Sequence, residues 1–364
     1  MTPEDSGCAP AHPSTLEQFG WTEEHTKAFR NYPEQYLPGR ISCRQKTVWD
    51  VLTLKGTVTT GISGALKKLG RFPAVGDFVV LLHQPESGSS AIVDILPRRT
   101  QFTRGAAGRD STDQVIAANV DTVFIVTAAG QDLNARRVER YLAIAHASGA
   151  RPVIIINKAD LADDAQALAD AILPVAAGVP IITLSAKSGE GMREIDPYLT
   201  PGSTIVLIGS SGVGKSTLMN RLLGNNVQDT FATREDDDHG RHTTTVRQLF
   251  VLPCGALMID NPGLREVGMG TASGGMDETF PDILELAEGC RFSDCRHENE
   301  PGCAVKAAVE RGEIAVARLE NYHRLMREIA FEQDKKEIGL VRTERKRWKE
   351  IGKLQKETGK GRRP

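Results

Sequence analysis

The chain has 364 residues and a mass of 39.5 kDa, room for two or three domains. Forty per cent hydrophobic and 25% charged residues describe a chain that buries a core, which excludes global disorder. No run of about 18 apolar residues suggests a membrane span, and Met1 to Ser14 lack a signal-peptide pattern, so a cytoplasmic protein with no membrane partner is expected.

The net charge of −2 hides a gradient. Residues 335–364 carry twelve Lys or Arg against four Asp or Glu, a surplus of eight, which leaves −10 for the rest. A basic tail on an acidic body suits a polyanionic partner. Three of the six cysteines fall within 290–303, which in a reducing compartment suggests a metal before a disulfide.

In chain order, residues 1–37 form a polar N-terminal extension in which Trp21 to Phe29 could make a short helix. Residues 38–104 read as β structure. Val48 to Leu54, Gly56 to Thr60, Asp77 to Leu82 and Ala91 to Leu96 are apolar or β-branched runs between Gly, Pro and Ser turns. A small closed barrel of the OB-fold type removes the edges of so many short strands.

Residues 105–272 change character. Val120 to Thr127, Val153 to Ile156, Pro180 to Leu184, Thr204 to Ile208 and Ala256 to Ile259 alternate with helical stretches. That alternation predicts a parallel sheet covered by helices on both faces. Asn157-Lys158-Ala159-Asp160 ends the second of these strands. A carboxylate at Asp160 can accept two hydrogen bonds from guanine, and adenine would leave it unpaired. Asn157 would tie this loop to a phosphate loop, and the Lys158 stem would cover the base. Ser185-Ala186-Lys187 ends the next strand, where the Ala186 N–H can donate to guanine O6.

Gly209-Ser210-Ser211-Gly212-Val213-Gly214-Lys215-Ser216 follows the strand Thr204 to Ile208 and precedes a helix through Thr217 to Leu223. This is the Walker A pattern in the context it requires. Its glycines turn backbone N–H groups toward phosphate oxygens, and the helix N-terminus adds positive dipole. Lys215 would reach the β- and γ-phosphates and the Ser216 hydroxyl would bind Mg²⁺. One threonine of the Arg241-His242-Thr243-Thr244-Thr245 loop would complete the Mg²⁺ shell. Thr243 and Thr244 are both candidates, since spacing does not choose, and a polar surface loop is the alternative. Asp260-Asn261-Pro262-Gly263 ends the last strand, with Asp260 placed for Mg²⁺ and the Gly263 N–H for the γ-phosphate.

Leu264 stands where many GTPases carry a water-orienting glutamine, and leucine cannot polarise water. His242 is the nearest group able to do so, with a solvated loop histidine as the alternative. Cys290, Cys295, His297 and Cys303 offer three thiolates and one imidazole, a closed set that suits structural tetrahedral Zn²⁺. Buried reduced cysteines beside a surface histidine are the other reading. Residues 273–334 then read as a helical metal-binding domain, with Leu319, Tyr322, Met326 and Ile329 on one helical face, followed by the basic tail of 335–364.

The guanine-reading segments precede the phosphate loop, the reverse of the usual GTPase order, so the nucleotide domain reads as circularly permuted. That order, the Arg-His-Thr-Thr-Thr loop and the segments Pro73 to Asp77, Leu96 to Thr100, Gly312 to Ile314 and Asn321-Tyr322 resemble the RsgA family of small-subunit-dependent GTPases, over residues 37–330. Asn261 departs from the threonine more usual there. The resemblance implies a role in hydrolysis for His242, zinc at the Cys₃His set, and as partners the small (30S) ribosomal subunit and its 16S rRNA during late maturation, with GTP and GDP bound by a monomer. The alternative is a GTP-gated RNA-binding checkpoint protein whose hydrolysis is incidental. An ATP-using enzyme is opposed by Asp160.

Overall fold

The computed structural model describes residues 15–84, 89–105, 114–130, 132–224, 247–260, 269, 272–338 and 343. Among these, the strands β1 to β11 are Tyr36–Gln45, Val48–Thr53, Gly56–Ile62, Phe78–Gln84, Ser89–Ile95, Gln101–Arg104, Gln114–Ala118, Thr122–Ala128, Arg151–Asn157, Ile181–Thr183 and Thr204–Gly209. They are followed by β12 (Arg247–Val251) and β13 (Leu257–Asp260).

β1 to β5 close into a barrel of order β1-β2-β3-β5-β4, and β4 returns to β1 with Tyr36 opposite Leu82 and Arg40 opposite Phe78. Five strands in this order are the expected OB-fold. Closure leaves no free edge between β1 and β4. Inward positions alternate along β2, where Trp49, Val51 and Thr53 are buried while Val48 is exposed. Trp49 Nε1 satisfies itself on Pro73 O at 3.0 Å.

β1 begins before the first strand expected from sequence. It carries Pro38, Gly39, Arg40, Ser42 and Arg44, too polar to read as a strand. Arg40 explains the departure. It is fully buried, yet Nε donates to Gly76 O at 3.1 Å and Nη2 to Asn119 O at 3.0 Å, while Nη1 reaches Phe19 O. One side chain thus pins the N-terminal segment, the barrel and the start of the nucleotide domain. That segment contributes α1 (Glu23–Phe29), close to the expected helix, and packs Phe19 and Trp21 against Phe78, Val80 and Leu96. A short helix, α2 (Gly64–Lys68), follows β3.

The nucleotide domain has the strand order β10-β9-β8-β11-β13-β12, with every pair parallel except β12–β13. The sheet core is continuous apolar strand, such as Val123 to Val126 and Val153 to Ile156, all buried. α3 (Ala135–Ser148) starts at Asn134, whose side chain accepts from Arg137 N, and stops at Gly149 in the left-handed region. Among the described residues, the other α-helices of this part are α4 (Ala165–Ile172) and α5 (Lys215–Leu223). The barrel joins the sheet edge to edge, with Cys43 of β1 opposite Gln248 of β12.

The C-terminal region is helical over Met276–Thr279, Pro281–Ala287, Ala304–Glu310 and Val316–Ile338. The buried face of the last helix differs from the one expected. Arg318, Asn321, Leu325 and Ile329 are buried, whereas Met326 is 41% exposed. Two polar residues hold the face that apolar spacing assigned one residue further along. No described helix is long and apolar enough to cross a membrane.

Candidate nucleotide site and metal centre

The phosphate loop leaves the end of β11 between its neighbours β8 and β13. Gly209 and Gly214 both adopt left-handed φ, at 150° and 91°. A Cβ on Gly209 would lie 2.1 Å from Val126 O, and one on Gly214 would lie 2.3 Å from Asn157 Nδ2. Glycine is required at both by contact as well as by φ. Lys215 Nζ donates to Gly209 O at 2.9 Å and to Ser210 O. These bonds hold the Lys215 ammonium at the mouth of the loop, against its own backbone carbonyls. Ser216 and Thr217, both exposed, open α5, while Val213 is buried beneath the loop. Ser211 and Gly212 form its exposed rim.

Asn157 braces this loop to the base-reading segment. Its Nδ2 donates to Val213 O at 2.9 Å, and its Oδ1 accepts from Ala186 N at 2.9 Å. The tie expected from sequence is therefore made, but the Ala186 N–H intended for a guanine O6 is already given to Asn157. Lys158 takes φ +62°, a left-handed value that turns the chain into the short helical turn Ala159–Leu161. Its Cε passes 4.0 Å from where a Gly214 Cβ would be, so its stem lies along the phosphate loop. The Ser185 hydroxyl donates to Asp160 Oδ1 at 2.5 Å and so holds one oxygen of an exposed carboxylate. Lys187 is exposed beside it.

Two contacts had no sequence signal. Arg221, on α5, donates to Ala186 O and Lys187 O, both at 3.1 Å, and so holds the Ser185-to-Lys187 loop from behind. Arg137, on α3, donates to Ser210 Oγ at 2.9 Å. Long cationic side chains on helices are common, and only the fold reveals which carbonyls they meet. Asp260 ends β13, one residue past the Ile259–Val206 pairing that sets β13 beside β11. His242, Thr243, Thr244, Gly263 and Leu264 lie outside the described residues.

The four metal-ligand candidates converge. One donor atom from each of Cys290, Cys295, His297 and Cys303 lies within 4.8 Å of the others. His297 Nδ1 is 3.6 Å from Cys290 Sγ and 3.4 Å from Cys303 Sγ, and those sulfurs are 3.9 Å apart. Metal–sulfur bonds of about 2.3 Å in a tetrahedron demand sulfur separations of about 3.8 Å. The donor set fits such an ion. Burial holds the His297 imidazole below its ordinary pKa, in the neutral form that a ligand needs. Burial opposes ionisation of the Cys290 thiol, but N–H groups of Ala304 and Val305 outweigh it and bring that pKa down. Cys303 also caps helix Ala304–Glu310 by accepting from Lys306 N at 3.4 Å.

The family profile described as RsgA GTPase matches residues 95–270. A protein of Methanosarcina acetivorans named small ribosomal subunit biogenesis GTPase RsgA is 54% identical over 361 residues, 98% of each chain. This chain belongs to the RsgA GTPase family. An RsgA of Opitutus terrae is 44% identical over 93% of this chain and 96% of its own. Among solved structures, YjeQ from Thermotoga maritima matches with a TM-score of 0.60 and 28% identity, over 81% of this chain and 99% of its own. YloQ, described as a circularly permuted GTPase, matches with a TM-score of 0.58 and 27% identity over 82% and 97%. The RsgA assignment agrees with the chain order seen here, in which the Asn157-to-Asp160 and Ser185-to-Lys187 segments follow β9 and β10 and the Gly209-to-Ser216 loop comes later, after β11.

Proposed function

We propose that this protein hydrolyses GTP to GDP and phosphate while bound to the small (30S) ribosomal subunit, contacts 16S rRNA, and acts in late maturation of that subunit. The brace made by Asn157 carries the nucleotide half of this reading, because it couples a phosphate loop to a carboxylate suited to guanine. The names of the relatives, at 54% and 44% identity over nearly the whole chain, support the ribosomal half.

In this reading Asp160 accepts from the guanine N1–H and exocyclic amine, Lys158 covers the ring, and Gly209 to Thr217 with Lys215 hold the phosphates. Ser216, Asp260 and either Thr243 or Thr244 would hold a Mg²⁺ ion, which would supply charge neutralisation at the phosphates. Gly263 gives its N–H to the γ-phosphate. His242 orients the attacking water and takes its proton. The water oxygen bonds the γ-phosphorus as the bond to the bridging oxygen breaks, and the electron pair leaves with GDP. Cys290, Cys295, His297 and Cys303 would hold a Zn²⁺ ion through four protein ligands, a set that suits a structural role. The protein works as a cytoplasmic monomer.

Leu264, in place of a glutamine, favours one second reading, a GTP-gated RNA-binding checkpoint whose hydrolysis is incidental. GTP hydrolysis measured with and without purified small subunits, with ATP as control, separates the two. Stimulation confined to GTP and lost in His242→Ala supports the enzyme. Intact GTP binding without stimulation favours the checkpoint. Equal turnover of ATP would remove Asp160 from its assigned role.

A further inference from the structure

α3 touches two parts of the molecule at once. Arg137, in its first turn, donates to Ser210 of the phosphate loop. Glu139 lies two residues on, about 200° around the helix, and is only 1% exposed. Glu139 Oε1 accepts from Arg318 Nη1 at 2.7 Å, and its Oε2 accepts from Asn321 Nδ2. Arg318 also donates to Asp282 through Nε at 2.6 Å and Nη2 at 2.7 Å, and to Thr279 O at 3.0 Å. Its guanidinium sits 4.8 Å above the Phe280 ring. Asn321 Nδ2 reaches Arg136 O at 3.3 Å as well.

This cluster unites α3, helix Pro281–Ala287 and the long helix Val316–Ile338. Burying it is expensive, and apolar side chains of like volume would stabilise such a junction at least as well. What the ionic version adds is direction. A planar guanidinium with two carboxylates and a carbonyl on it fixes the angle of each helix, as a greasy contact does not. α3 therefore cannot shift at the phosphate loop without disturbing Arg318.

We propose that Glu139 and Arg318 are positioning residues for the phosphate loop, acting through α3 and Arg137, so that nucleotide at Gly209 to Ser216 and the C-terminal helix stabilise each other. The inference rests on the guanine-nucleotide reading of that loop. Linkage makes the effect reciprocal: whatever loosens Arg318 weakens nucleotide, and nucleotide tightens the Arg318 junction.

The test is equilibrium binding of a fluorescent GDP analogue with Mg²⁺ to the full-length protein. Arg318→Lys keeps the charge, so Glu139 and Asp282 are not left unpaired, but it loses the fork. Glu139→Gln is the second variant, with folding of each checked by circular dichroism. The expected result is Kd raised about fivefold or more in both, at the lower end of ordinary allosteric couplings. Glu320→Gln, on the helix of Arg318, breaks only the exposed pair with Arg136 of α3 and should leave Kd unchanged. In the Arg137→Ala background, the further effect of Arg318→Lys should vanish, since the link is already cut. Unchanged Kd in folded Arg318→Lys and Glu139→Gln proteins overturns the proposal and leaves the junction purely structural. Additive effects of Arg137→Ala and Arg318→Lys overturn it too, because the route is then not through Arg137. Failure of the wild-type protein to bind GDP would sink the nucleotide reading itself and the coupling with it.

Discussion

Gly214 occupies a point where no side chain fits, because the amide of Asn157 fills that space from another strand. Gly214→Ala must place a non-glycine residue at φ 91° and push Asn157 off Val213 O, which costs roughly 1–3 kcal/mol in strain before the lost hydrogen bonds are counted. Nucleotide affinity should fall at least tenfold while the barrel folds normally, as titration with labelled GDP would reveal. Asn157→Ala removes both arms of the brace and leaves the Ala186 N–H and Val213 O without it. About 2–3 kcal/mol of binding should go, near a hundredfold in Kd, with little loss of preference for guanine over adenine, since Asp160 is untouched. A loss of that preference would mean that Asn157 reads the base. At this scale the sequence is most legible where chemistry dictates both residue and spacing: the phosphate loop, the Asn157 tie and the Cys₃His set all form as expected. Arg137, Arg221 and Arg318 were illegible, because an arginine on a helix announces its charge and not its partner.

Among the elements, α1 holds a titratable group in an apolar setting. His25 is buried between Trp21 and Phe78, and its ring lies 4.1 Å from that of Phe78. Burial first, then the nearby cations of Arg99 and Arg40, lower its pKa from 6.5 to about 4. Between those values the unfolded chain binds a proton that the folded protein refuses, so stability is complete above pH 6.5 and declines as the pH falls toward 4. The loss is on the order of 3 kcal/mol. His25→Gln retains a residue suited to the capping box at this position and has no proton to bind. Its melting temperature should vary less between pH 4 and 6.5 than that of the wild type, and parallel profiles would acquit His25. Elements whose residues face one environment were readable in advance: the middles of β8, β9 and β11, Val123 to Val126, Val153 to Ile156 and Ile205 to Ile208, are unbroken apolar runs. β1 and β12 were not. β1 hides a fully buried arginine that interior carbonyls satisfy, and β12 is a short junction strand between barrel and sheet. The long C-terminal helix misled for a related reason, since Arg318 and Asn321 occupy its inner face.

At the scale of the whole molecule, three units share one continuous set of contacts. The C-terminal helices contribute Phe280, Ile283, Val305, Ile314, Leu325 and Ile329 to the same buried cluster as the barrel and the sheet. A metal in the Cys₃His set would fix the loop between two of those helices, so its removal should be felt beyond the ligands. Treatment with a strong chelator, or Cys295→Ser, should release one zinc ion per chain and expose amides of 290–310 to hydrogen exchange, with the barrel strands still protected. Zinc affinities of this kind correspond to about 10 kcal/mol or more, so partial loss of protection is not the expected result. Absence of zinc from the purified protein by elemental analysis would end that assignment. The three-part layout was readable from changes in periodicity along the chain, but the edge-to-edge joining of barrel to sheet was not, because it depends on β1 and β12 together.

That joining sets a timetable for a chain emerging from its N-terminus. The barrel has all five of its strands within residues 36–95 and can seal itself by pairing β1 with β4. β8, β9 and β10 then appear with the base-reading loops, but their sheet lacks its central strand until β11 is made. The nascent domain thus displays the loops after β9 and β10 before the Gly209-to-Ser216 loop exists. Only when β12 arrives and pairs with the waiting β1, Cys43 against Gln248, does the chain's late half lock onto its earliest strand. A pairing between residues so far apart in the chain is slow to find, so the seam between barrel and sheet forms later than the barrel's own closure. A chain that stops short of β11 therefore holds a sealed barrel but nothing of the Gly209-to-Ser216 loop.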